Sequence, residues 1–109
     1  MLSDKEKRRS YHLMRTYGIT LKQYEQLSRK QGHSCGVCKR HRDEFSTNLA
    51  VDHDHKTGEI FGLLCTYCNR RIIGRDRKPE IFYNASRFLK KGTGLFVPKK
   101  PKKKKRGAS

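Results

Sequence analysis

Cysteine occupies four positions in this chain, grouped as Cys35-Gly36-Val37-Cys38 and Cys65-Thr66-Tyr67-Cys68, with 26 residues between the pairs. Two thiolates three positions apart can reach one ion. Two such pairs complete a tetrahedral Zn²⁺ shell with bonds of about 2.3 Å. A thioredoxin-like redox site needs one CxxC, and a secreted disulfide scaffold disperses its cysteines behind a leader peptide. MLSDKEKRRS carries charge but no apolar stretch of the leader type. A structural zinc site in a reducing cytosol or nucleus is therefore expected. Zinc also answers a problem of size. The chain has 109 residues, 33% of them hydrophobic and none of them Trp, and a core of that kind is marginal without a staple. Such a length allows one small domain with tails and excludes a two-domain enzyme with a deep cleft. No apolar run approaches the ~20 residues that span a bilayer, so no membrane partner is expected.

The formal net charge of +17 is uneven along the chain. Residues 99–106, KKPKKKKR, hold seven basic residues and no acidic one. A run of that kind repels itself and buries nothing, so residues 93–109 read as a disordered basic tail. It suits a polyanion, releasing counterions on contact with phosphates. Residues 17–98 are also net basic, which favours nucleic acid over an acidic membrane. PKKKKR has the form of a nuclear-import signal, relevant only in a eukaryotic host. Otherwise the expected location is the cytoplasm of a bacterium or phage host.

The coarse organisation is α+β. Residues 1–16 form a basic N-terminal segment with a short helix over 4–16. Thr20 and Gln23 make a capping box for a helix running to about Lys30, stopped by Gly32. Leu49-Ala50-Val51 reads as a strand ending at Asp52, and Ile60–Leu64 as a second strand beyond the turn Lys56-Thr57-Gly58-Glu59. The second CxxC opens a helix. A final helix starts at Pro79 and ends at Gly92, its stripe of Ile81, Phe82, Ala85, Phe88 and Leu89 reading as core.

Asp52-His53-Asp54-His55 does not belong to a plain structural zinc knot. Carboxylate oxygens suit Mg²⁺, which keeps waters free for a phosphate ligand. Imidazole can accept a proton from water near neutral pH. Strand alternation puts Asp52 and Asp54 on one face and His53 and His55 on the other, so both chemistries meet only if the backbone bends. Asn69, next to Cys68, adds a neutral carbonyl oxygen for a hard cation. A zinc clamp would then hold Asn69 against the strand of Asp52. Arg70, Arg71, Arg75, Arg77 and Lys78 follow as candidate phosphate contacts.

VDHDHKTGEIFGLLCTYCNR, preceded by YGITLKQYEQL and QGHSCGVC, resembles the recombination endonuclease VII family of phages, within the His-Me finger (HNH-like, ββα-metal) nucleases. The likeness runs from about Tyr17 to Leu89. It implies a small zinc-clamped ββα-metal domain over residues 17–92, with flanking helices. It implies Cys35, Cys38, Cys65 and Cys68 as ligands of one structural Zn²⁺, and Asp52 and Asn69 as ligands of a catalytic Mg²⁺ or Mn²⁺. His53 matches the general base, and His55 a histidine that helps stabilise charge at the phosphate. The founding member carries an acidic residue three positions after the Asn, where this chain has Ile72. That enzyme is also an intertwined dimer built on long helices. Only one modest helix follows here, so a homodimer stays open beside a monomer.

Two function classes follow. The first is a metal-dependent endonuclease hydrolysing phosphodiester bonds of duplex or branched DNA, by nicking or cleaving. The second is a non-catalytic zinc-knuckle nucleic-acid-binding protein, which loss of Asp52, His53 or Asn69 would favour; all three are present. Basic charge alone does not separate RNA from DNA. The lack of an aromatic stacking platform favours duplex DNA.

Overall fold

Ser3 opens the first helix, α1 (Asp4–Tyr17), through a reciprocal capping box with Glu6. Gly18 closes it in the left-handed conformation at φ 73°, its N–H donating to the Met14 carbonyl. Thr20 and Gln23 cap α2 (Leu21–Lys30) in the same reciprocal way, as the sequence predicts. A 3₁₀ turn (Arg42–Glu44) leads to strands β1 (Ala50–His53) and β2 (Ile60–Leu64). The computed structural model describes residues 2–74 and 78–98. The chain divides into two compact units, Met1–Arg77 and Lys78–Ser109.

β1 and β2 pair antiparallel, with Ala50 opposite Leu64 and Asp52 opposite Gly62. The register then steps, so that His53 faces Ile60 and Phe61 lies at a bulge. Asp54 builds the connecting turn. Its Oδ1 accepts from the N–H groups of Lys56 (2.7 Å) and Thr57 (3.0 Å). Its own N–H donates to the Glu59 carbonyl at 2.8 Å. Gly58, at φ 82°, takes a left-handed conformation that this turn needs.

Leu13, Ile19, Leu49, Val51, Leu63 and Leu64 form the apolar core, with Tyr24 and the buried sulfurs of Cys35, Cys65 and Cys68. Tyr24 shows how a polar tip is accommodated there. Its hydroxyl donates to the Leu49 carbonyl at 2.6 Å, and Arg9 lies 4.3 Å over its ring. Burial raises the pKa of that phenol. A fold this small thus rests on apolar packing joined directly to a sulfur cluster.

The second unit contains α3 (Pro79–Lys91), with Pro at the first turn and Gly92 past the end. Its boundaries are those the sequence indicates, but its stripe is not core. No α3 residue is buried, and Phe88 and Leu89 are 80% and 79% exposed. The buried cluster draws its residues from Leu13 to Cys68. Periodicity reports that a helix has an apolar face, not what covers it. The expected tail over residues 93–109 lies outside the described residues from Lys99 onward. Among the described residues, no helix is long and apolar enough to cross a membrane.

Candidate metal centre and active-site face

The first cysteine pair sits on a tight knuckle after α2. The Cys35 N–H donates to the Arg40 carbonyl at 3.0 Å, and the Val37 N–H points at the Cys35 Sγ at 3.4 Å. The knuckle turns back through Lys39 at φ 68°. Cys65 directly follows β2, and its sulfur receives the Cys68 N–H at 3.4 Å. All four Sγ atoms lie within 4.8 Å of one another, with Cys38 and Cys65 at 3.9 Å. A tetrahedron with bonds of about 2.3 Å has sulfur-to-sulfur edges of about 3.8 Å. All four cysteines are free thiols, so the cluster is not a disulfide pair. Burial pushes the Cys35 thiol up, but backbone N–H groups of Cys65, Cys38 and Val37 outweigh it and bring it down to about 6. Burial and the other three sulfurs push Cys68 up. Sulfurs this close resist shared ionisation unless a cation lies between them, and a soft-ligand S₄ set fits zinc.

Gln31 ties this knuckle to the hairpin. Its Oε1 accepts the Leu63 N–H at 2.8 Å, and its Nε2 donates to the Leu63 carbonyl at 2.9 Å and the Ser34 carbonyl at 2.8 Å. The Gly36 N–H reaches the same Leu63 carbonyl at 3.0 Å. Gly62 makes room for the clamp. At φ 148°, a Cβ there would stand 2.5 Å from the Gln31 Oε1. The sequence singled out neither residue. A glycine inside an apolar strand was the available sign of a close approach, whereas a lone Gln carries no periodic signal.

Asp52 lies near the end of β1 and is 5% exposed. One residue on, at the bulge, the backbone delivers His53 half-buried and His55 exposed. The two imidazoles meet, their ring centroids 4.8 Å apart and tilted by 49°. Tyr17, the last residue of α1, packs edge-to-face on the other side of His53 at 5.6 Å. The two histidines meet with His55 already in the turn beyond the strand, and β1 extends one residue past its expected end to carry His53. Asp54 serves the turn instead.

After Cys65 the chain turns helical at Thr66 and widens into a π-helix over Cys68–Ile73. The Asn69 N–H donates to the Cys65 carbonyl at 2.9 Å, and the Gly74 N–H to the Asn69 carbonyl at 3.1 Å. Asn69 thus begins the widened turn, half-buried, one position past a cysteine of the cluster. Asp52 and Asn69 offer carboxylate and amide oxygens, a hard donor set of the kind Mg²⁺ takes. Arg70 and Arg71 stand exposed on the π-helix, and Lys78 is the exposed cap of α3. Arg75 and Arg77 lie outside the described residues.

The family model of recombination endonuclease VII matches residues 10–91, a span that holds the hairpin, both cysteine pairs and the paired histidines. The chain belongs to the recombination endonuclease VII family. Over 86 residues it is 42% identical to the Gene 59 protein of Mycobacterium phage D29, covering 78% of this chain and 52% of that protein. Over 78 residues it is 44% identical to the Gene 59 protein of Mycobacterium phage L5, covering 71% of this chain and 47% of that one. The chain thus spans about half the length of these relatives. No solved structure matches it. The endonuclease VII match begins inside α1, so that helix falls partly within the family's shared region.

Proposed function

We propose that this endonuclease VII family member is a metal-dependent endonuclease that hydrolyses DNA phosphodiester bonds, with His53 as general base. The observation that carries this reading is the pair of imidazoles at the end of β1, directly after a buried carboxylate. A structural zinc on Cys35, Cys38, Cys65 and Cys68 holds the hairpin and the following helix together; four thiolates leave it no open position for chemistry.

His53 takes a proton from water, and the water oxygen forms a bond to phosphorus while the bond to the 3′ oxygen breaks. His55, exposed beside it, faces the negative charge of the phosphate. Asp52 and Asn69 hold Mg²⁺ or Mn²⁺; such an ion, when bound, neutralises charge at the phosphate and the departing oxygen. Arg70, Arg71, Arg75, Arg77 and Lys78, with the cations of residues 99–106, hold the DNA backbone without reading its sequence. Duplex or branched DNA is the substrate class.

The test is supercoiled plasmid and a four-way junction incubated with the zinc-loaded protein in Mg²⁺ or in EDTA, beside His53→Ala. Mg²⁺-dependent cutting that disappears in the variant supports the reading. Binding of both substrates without cutting of either assigns the chain to a non-catalytic zinc-knuckle class instead.

A further inference from the structure

The N-terminal helix reads from the sequence as a basic appendage, yet its last residue touches the candidate base. Tyr17 and His53 approach with ring centroids 5.6 Å apart and planes at 69°. His12, one turn and a fraction earlier on α1, stands edge-on behind Tyr17 at 6.3 Å and 89°. Four rings therefore run in series, His12, Tyr17, His53 and His55, from the helix to the hairpin.

Tyr17 is held from both sides. Leu13, one turn before it, is buried at 4% exposure and anchors α1 in the core. Gly18 immediately after it takes a left-handed φ of 73°, and its N–H closes the helix on the Met14 carbonyl. Ile19 then enters the core at 8% exposure. A residue fixed between two core anchors by a helix cap has little freedom to swing, and Tyr17 is itself half-buried. His53 sits at a bulge next to a turn, where the sheet no longer constrains a side chain from both sides.

We infer that Tyr17 is a positioning residue for His53: its ring walls one side of the imidazole and restricts its rotation to orientations that face the substrate. The inference rests on the reading of His53 as the base. It adds that α1 is part of the active centre, with a role that ring shape fulfils and the phenolic hydroxyl does not.

The experiment uses the full-length zinc-loaded protein as wild type, Tyr17→Phe and Tyr17→Leu, with His53→Ala as reference. Cleavage is measured at saturating and limiting DNA. Tyr17→Leu is expected to lower kcat roughly 10–100-fold, the scale of a small misplacement of a catalytic group, with KM little changed. Tyr17→Phe is expected to restore kcat to within about twofold of wild type, given that the ring does the work. Equal kcat in all three proteins overturns the inference, as does a loss in Tyr17→Phe matching that in Tyr17→Leu. A rise in KM alone also overturns it, since that marks a DNA contact. A second measurement is independent of cutting and needs no variant that folds poorly. Proton NMR of the wild type should show cross-relaxation between the Tyr17 and His53 rings, and its absence overturns the inference. If the wild type does not cut at all, the nuclease reading fails and the inference falls with it, whereas cleavage that is equal in all variants overturns the inference alone.

Discussion

Two clusters of donor groups border the same hairpin, and they are built in opposite ways. The cysteine cluster is assembled from two distant segments, is largely buried, and places four sulfurs within 4.8 Å. The Asp52–His55 cluster comes from one continuous segment, carries oxygen and nitrogen donors, and runs from 5% exposed Asp52 to exposed His55. A closed sulfur shell can only hold. An open face of carboxylate and imidazole can exchange ligands and protons. In a protein with a small apolar core, the first cluster supplies the rigidity that the second requires.

The largest break in that contrast comes from the holding side. Cys65→Ser should abolish zinc retention and cooperative folding together, because structural zinc contributes about 10–16 kcal/mol of apparent binding energy to such domains. Metal analysis and a thermal melt check it; a cooperative melt in the zinc-free variant would show that the core stands alone. Chelation of the wild-type protein should have the same result. His53→Ala, on the working side, should leave the melt and the zinc content unchanged and lower cleavage about 10²–10⁴-fold. If both variants unfolded, the division of labour between the clusters would collapse.

Gln31→Ala probes the link between them. Two Leu63 backbone groups lose their side-chain partner, at a cost of about 1–3 kcal/mol. For a domain of this size each kcal/mol lowers Tm by about 4–8 °C. Differential scanning calorimetry measures the shift, and an unchanged Tm would mean that the Gly36 N–H satisfies the Leu63 carbonyl while water satisfies the Leu63 N–H. The smallest effect is expected at the surface. Arg70→Ala should weaken DNA binding equally across sequences and reduce the slope of log K against log salt by about 1. A change in sequence preference instead would place Arg70 at base edges.

Most of the elements are legible because their signals are local. Thr20 and Gln23 cap α2 through neighbours three residues apart, and Pro79 and Gly92 bracket α3 in the same way. The cysteine cluster is legible because CxxC spacing is a local rule that two distant segments both obey. What the sequence hides is tertiary. Nothing in Gln31 or Tyr17 announces that one meets β2 across 32 positions and the other meets His53 across 36. The pairing of His53 with His55 is set by the turn that follows β1, since His55 already lies outside the strand. The stripe of α3 shows the opposite error, a strong periodic signal read as burial that the fold does not supply.

The Gln31 side chain has one more consequence. A hairpin of two strands ends in an open edge, and an open edge invites another chain to add a strand. On β2, the Leu63 N–H and C=O would be the first groups such a visitor would use. The amide of Gln31, just past the end of α2, already sits on both, imitating one residue of a third strand. The glycine beside it lets that imitation lie flush. The protein thereby keeps the β2 edge of its two-stranded sheet from becoming a template for association, with one uncharged side chain at its centre.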